Sequence, residues 1–268
     1  MTGDGPGGGS PPRLGEVGED KVRQDPSVVI LGPTGSGKTG VSIELAKQIG
    51  GEIISADSRA IYKGMDIGTA KPTKEEMDGV PHFGLDLVNP DERFTVADWK
   101  EYALQKIKEI QSRGHIPIIV GGTGLYIDAL VYDYKFTADG KNTASDRKEL
   151  CTNYLLIGIK WETAELRERL RQRLNKMFVQ KLYDEVNKLV QKYDWDTQAM
   201  KSDIYRYAWG YMTGQMTLEE AKEQCFYADY HLAKRQMTWF KRTKEINWLR
   251  LEKICPFVLK YMQDEQRK

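Results

Sequence analysis

The stretch 28–46, VVILGPTGSGKTGVSIELA, constrains this chain more than any other. It opens on Val28-Val29-Ile30-Leu31, an apolar run with the length and composition of a buried strand. Gly32, Gly37, Lys38 and Thr39 then satisfy the G-x-x-x-x-G-K-[ST] pattern of a P-loop, and Val41, Leu45 and Ile49 fall on one face of a following helix. Glycines bring backbone N–H groups close to phosphate oxygens, a helix N-terminus favours an anion, and Lys38 adds a full charge. The segment Gly32, Pro33, Thr34, Gly35, Ser36, Gly37, Lys38, Thr39 is therefore expected to bind a diphosphate or polyphosphate, with the Thr39 hydroxyl as the Mg²⁺ ligand. The motif does not choose between phosphates.

The strand–helix alternation continues. Residues 51–58 read as a second strand ending in Asp57, and a carboxylate there lies on the edge where open α/β sheets bind ligands. A helix N-cap is the competing role for Asp57. Residues 61–72, rich in glycine and polar side chains, read as an active-site loop. A short strand is expected within 82–85, with His82 structural. Thr95-Val96-Ala97-Asp98 has the form of a capping box. The helix it starts leads to the buried strand 116–120, which closes in Gly121-Gly122-Thr123-Gly124. That strand lacks the terminal acid that supports Mg²⁺ in nucleotide hydrolases, and its glycines suggest close approach of a substrate. A further strand is expected at 154–159, and helices over most of the remaining chain. The fold class is thus α/β, a P-loop NTPase-like parallel sheet with flanking helices and a helical C-terminal part.

Residues 1–25 are Gly- and Pro-rich and read as a disordered leader. The core is expected over 26–249, with a polar insertion at 133–153 that has a few helical residues near 146–150, and with 250–268 as a peripheral helical tail. Arg167, Arg169, Arg171 and Arg173 alternate over two helical faces; they suit either a solvated helix partnered by Glu162, Glu165 and Glu168 or an RNA patch. Residues 231–242 interleave cations with aromatics, which suits a nucleic-acid surface or, equally, a core face with exposed charges. The net charge of +1 gives no global sign of a polyanion partner, so any such site must be local. Three scattered cysteines and three histidines carry no zinc pattern, and no apolar run reaches transmembrane length, so a cytoplasmic protein with free thiols is expected.

Taken together, GPTGSGKT, SADSRAIYKGMDIGTAKP, IPIIVGGTGLY and LAKRQMTWFKR resemble the tRNA dimethylallyltransferase (isopentenyltransferase) family. The resemblance is strong over 28–130 and looser over 154–249. It implies transfer of a dimethylallyl group from dimethylallyl diphosphate to the exocyclic amine of the adenine 3′ of the anticodon, in the tRNA anticodon loop. The P-loop would hold the diphosphate leaving group with Mg²⁺. Asp57 matches the general base, Thr123 a contact to the acceptor, and Arg206 an arginine facing diphosphate or tRNA. By the same resemblance Ser58, Arg59, Ala60, Lys201, Lys234, Arg235, Gln236 and Lys241 would join Asp57, Thr123 and Arg206 in binding tRNA. The acceptor base must leave its stack, which implies a tunnel with diphosphate and adenine at opposite ends.

This chain departs from the family pattern in four ways. The helical insertion after the GGT segment is reduced to 133–153, Ile204 stands for a glycine, and Lys201 and Tyr230 stand for arginines. The shortened insertion leaves a free adenine nucleotide open as the acceptor. A P-loop kinase of a small metabolite and a catalytically impaired RNA-binding protein are the other classes; the kinase wants an arginine-bearing lid over the phosphates, and none is evident. A monomer is expected.

Overall fold

A computed structural model describes residues 26–137, 150–179 and 181–267. The expected leader at 1–25 and residues 138–149 of the expected polar insertion lie outside the described residues; Leu150, the end of its expected helical stretch, is described and is not helical.

Six parallel strands form one sheet in the order β3-β2-β4-β1-β5-β6. They are β1 (Ser27–Leu31), β2 (Gly51–Ala56), β3 (His82–Phe83), β4 (Ile116–Gly121), β5 (Tyr154–Ile159) and β6 (Asn247–Leu249). Strands β1, β4 and β5 are nearly continuous apolar runs because helices cover both of their faces, and β2, although it carries Glu52 and Ser55, is buried along its whole length. On one face Val29, Leu31, Ile54, Ile119 and Leu156 pack against Trp99, Ala103 and Ile107 of α3 (Val96–Ser112) and Ile127 and Leu130 of α4 (Gly124–Val131). On the other, Val28, Ile30, Ile53, Ile118 and Ile157 pack against α1 (Lys38–Ile49) and α9 (Leu251–Gln266). Alternate residues of one strand thus feed two separate cores.

Capping chemistry sets several helix starts. Thr95 and Asp98 form the expected capping box of α3, and Thr73 with Glu76 does the same for the four-residue α2 (Lys74–Met77). The remaining helices, α5 (Thr163–Val179), α6 (Leu182–Val190), α7 (Asp203–Met212) and α8 (Leu218–Phe240), build a third core. Leu166, Leu170, Leu174 and Met177 supply its stripe from α5, as their spacing implies, and Leu182, Val186 and Leu189 supply it from α6.

The C-terminal part departs from expectation. Residues 250–268 are not peripheral: Ile254, Cys255, Val258 and Met262 of α9 are buried against the α1 side of the sheet. Residues 231–240 continue α8 as one 23-residue helix. Strand β6, for which no strand was expected, extends the sheet beyond β5, pairing Ile157 with Asn247 and Ile159 with Leu249. Cys151, Cys225 and Cys255 are free, and burial raises the Cys225 thiol to about 12. No described helix is long and apolar enough to cross a membrane.

Candidate functional site

The carboxyl ends of β1, β2 and β4 open into one cavity of about 900 Å3, which is also lined by residues of α5, α7 and α8. Every P-loop residue from Thr34 to Thr39 lines it, and so do Asp57, Ser58, Arg59, Thr123, Lys201, Arg235 and Gln236. Segments far apart in the sequence therefore meet at one site.

The P-loop is held through several of its carbonyls and through the Thr34 and Ser36 N–H groups, which leaves the N–H groups at the start of the following helix for an anion. Arg169 Nε donates to Gly35 O at 2.9 Å, and Trp161 Nε1 donates to Ser36 O at 2.9 Å. Gly37 caps α1 at φ +82°, a left-handed conformation that favours glycine, and no side chain takes the first N–H groups of the helix. Lys38 folds back so that Nζ donates to Gly32 O at 3.0 Å and Pro33 O at 2.8 Å. Burial lowers its ammonium to about 8; Asp57 opposes that shift and Arg173 reinforces it. Both the folded-back ammonium and the Ser36 hydroxyl, which is buried without a partner, suit a loop shaped around an anion.

Asp57 follows β2 directly. Its Oδ1 accepts the Arg59 N–H at 2.8 Å in a tight turn, and no helix begins there, so the N-cap alternative is excluded. Thr123 Oγ1 accepts the Ser58 N–H at 3.0 Å and lies 3.2 Å from Ser58 Oγ, tying the ends of β2 and β4 together. Gln236 makes a second tie: its Oε1 accepts Thr34 N–H at 2.7 Å while its Nε2 donates to Gly122 O at 3.0 Å. The glycines after β4 answer to packing. A Cβ on Gly121 would lie 2.1 Å from Ala56 O, one on Gly122 2.5 Å from Gln236 Nε2, and one on Gly124 2.3 Å from Trp239 Cδ1. Protein neighbours thus already require glycine at these positions, while Gly122 and Gly124 also line the cavity, where the sequence expected a substrate to approach.

Residues 61–72 are a site loop only in part. Gly68, Thr69 and Ala70 line the cavity, but Ile61, Tyr62 and Met65 are buried in the helical core. Glu185 of α6 fixes the loop by accepting the N–H groups of Asp66, Ile67 and Gly68 at 2.9, 2.8 and 3.0 Å, and the Tyr205 hydroxyl at 2.7 Å. A neighbouring cavity of about 780 Å3 shares Thr39, Ala70, Arg173 and Lys176 with the first.

Some expected residues stand elsewhere. Arg206 does not line the cavity; it is exposed, paired with Asp203 at 2.9 Å and stacked on Tyr207. It follows Tyr205, whose ring faces the core, so the helix turns Arg206 outward. Ala60 is buried, and Lys241, at the C-cap of α8, and Lys234 lie outside the lining. Conversely, Arg169 and Arg173 stand over the P-loop, supplying the arginines that the sequence reading did not find there. The Arg173 guanidinium bonds the Thr34 hydroxyl and pairs with Asp229 at 3.2 Å. Burial raises the Asp229 carboxyl, against the pull of Arg173. The four-residue spacing that puts 169 and 173 on one face is shared by 167 and 171, so no sequence signal singles out the pair beside the glycine loop.

An IPP transferase family model matches residues 60–152 and 134–243. The tRNA dimethylallyltransferase of Staphylococcus haemolyticus is 38% identical over 300 aligned positions, covering 89% of this chain and 90% of that protein. The tRNA dimethylallyltransferase of Bacillus subtilis is 36% identical, covering 84% and 90%. The crystal structure of a tRNA isopentenylpyrophosphate transferase from Bacillus halodurans superposes with a TM-score of 0.81 at 30% identity, covering 91% of this chain and 98% of that one. A eukaryotic dimethylallyltransferase acting on tRNA, at 21% identity and a TM-score of 0.75, shares the fold.

Proposed function

The chain belongs to the tRNA dimethylallyltransferase family, and from that premise we propose that it transfers a dimethylallyl group from dimethylallyl diphosphate to the exocyclic amine of the adenine 3′ of the anticodon in tRNA. The observation that carries this reading is one cavity lined both by the P-loop and by Asp57 and Thr123. A phosphate cradle beside a carboxylate suits a transfer whose leaving group is diphosphate and whose nucleophile sheds a proton.

In this mechanism the diphosphate lies against the N–H groups of the P-loop and the N-terminus of α1. Lys38 leaves the loop carbonyls to meet it, and Arg169 and Arg173 face it from α5. The adenine amine attacks C1 of the dimethylallyl group as the C1–O bond breaks and the electron pair departs with diphosphate. Asp57 accepts the amine proton, and Thr123, fixed by Ser58, orients the base. Preorganised cations stabilise charge that grows only as the bond breaks. Arg206 would need to turn inward to take part.

Mg²⁺ fits the donor set. Thr39 lines the cavity and its hydroxyl makes no protein hydrogen bond among the described residues, and a hard cation of this size is commonly held by few protein oxygens together with phosphates. The ion would offset charge on the leaving diphosphate. A monomer acting in the cytoplasm completes the proposal.

The test offers labelled dimethylallyl diphosphate together with an unmodified tRNA transcript, AMP or ATP. Label in tRNA is expected. Label in AMP alone would assign a free nucleotide as acceptor, and phosphate transfer from ATP without prenyl transfer would replace the reading by a kinase.

A further inference from the structure

Beside the cavity, two helical stripes meet without entering it. On α5, Arg169 and Arg173 line the cavity, whereas Arg167 and Arg171, also four residues apart, form the neighbouring stripe. On α8, Asp229, Leu232 and Gln236 line it, whereas Phe226, Tyr230 and Lys234 form the next stripe. These outer stripes interleave. The Arg171 guanidinium sits 4.3 Å from the Phe226 ring centre, and that of Arg167 sits 5.7 Å from Phe226 and 5.1 Å from Tyr230. Lys234 Nζ lies 5.7 Å from the Tyr230 ring.

These ring contacts hold the guanidinium groups without consuming their N–H donors, since a ring face offers no conventional acceptor. The carboxylates that could neutralise them are engaged elsewhere: Glu165 pairs with Arg250 at 2.8 Å, and Glu168 accepts from Gln172 at 3.0 Å. Among the described residues no carboxylate reaches ion-pair distance of Arg167, Arg171 or Lys234, although other surface cations such as Lys47, Lys106 and Lys176 are paired. The Glu-partnered helix face considered from sequence is therefore absent. Unneutralised cations held on aromatic rings suit an RNA strand: its phosphates meet the cations and a base can stack on the half-buried Tyr230, while Phe226 is buried and serves to hold the arginines.

We infer that this ladder, Arg171-Phe226-Arg167-Tyr230-Lys234, docks the backbone of the acceptor tRNA next to the nucleotide that enters the cavity. The inference rests on the function proposed above and adds a surface to it.

The test is fluorescence anisotropy of a labelled tRNA transcript with the full chain at several salt concentrations. Arg167→Gln with Arg171→Gln is expected to weaken binding about 10-fold and to make the slope of log K against log salt shallower by about 1–2, at roughly 0.7–0.9 per lost phosphate contact. Arg167→Lys with Arg171→Lys should restore the slope but only part of the affinity. Calorimetric affinity for dimethylallyl diphosphate should stay parental. Lys234→Glu, at an exposed position, should weaken tRNA binding without touching the core, which keeps the test decisive if the double variant folds poorly. A parent that prenylates tRNA, with all variants binding as tightly and with the same slope, overturns the surface alone. A parent that prenylates AMP and has no affinity for tRNA overturns the acceptor proposed above as well.

Discussion

With Lys38 on the diphosphate as proposed, donor binding should depend on pH between about 7 and 9. Its ordinary value of 10.5 falls to about 8 because the ammonium is enclosed by the loop and stands near Arg173. Only the charged form donates to diphosphate with the strength of an ion, and the phosphate itself has lost its second proton by about pH 6. Raising the pH from 7 to 9 should therefore leave about one tenth of the free protein charged at Lys38. Binding must then recruit a proton, and the dissociation constant for dimethylallyl diphosphate should rise about 10-fold, or ~1.4 kcal/mol. Titration calorimetry in two buffers of different ionisation enthalpy should count close to one proton taken up at pH 9 and almost none at pH 7. Lys38→Gln should abolish that uptake. At pH 7 it should cost about 1.5–3 kcal/mol of donor affinity, the worth of a charge-assisted contact. A parent whose affinity is flat from pH 7 to 9, or a glutamine variant that binds as tightly as the parent, would refute the assignment of Lys38 to the diphosphate.

Gln236→Ala removes both hydrogen bonds that tie the P-loop to the segment after β4, and at about 0.5–1.5 kcal/mol each it should destabilise the protein by about 1–3 kcal/mol in urea unfolding. An unchanged midpoint would show that the bridge carries no stability. Gly121→Ala drives a Cβ to within 2.1 Å of Ala56 O, between paired strands that cannot separate without breaking the sheet. It should cost about 3 kcal/mol or more, seen in the same assay, and a soluble variant with the parental midpoint would contradict that packing.

The fold was legible wherever one local rule was strong. The apolar runs of β1, β4 and β5, the capping box at Thr95 and the Leu166-Leu170-Leu174 stripe each point to their element without help from the rest of the chain. Strand β6 was not legible, because three residues carry no alternation and its pairing with β5 is settled by distant packing, including Asn247 Nδ2 on Leu156 O at 3.1 Å. In α9, Ile254, Val258 and Met262 keep helical spacing, but the polar residues among them concealed a face buried on α1. The first half of the site was legible because strand ends and glycine loops have fixed positions in open α/β sheets. Its second half comes from the helical lobe. Sequence alone ranked the arginines of α5 equally, yet Arg169 and Arg173 reach the P-loop whereas Arg167 and Arg171 stack on aromatics. Arg206 shows the converse: its motif suggested the site, and the turn of α7 sets it at the surface.

The measurement that bears most directly on the proposed chemistry is the single-turnover rate of Asp57→Asn with dimethylallyl diphosphate and tRNA, alongside its melting temperature and its donor affinity at pH 7. Proton acceptance from the amine matters in the transition state and little in the ground state. The substitution keeps the side chain's size and an oxygen for the Arg59 N–H, so the turn after β2 should hold. The expected result is a folded variant that binds the donor as the parent does and transfers the prenyl group about 10²–10⁴-fold more slowly. A folded Asp57→Asn variant that prenylates tRNA at the parental rate would remove Asp57 from the reaction and contradict the mechanism.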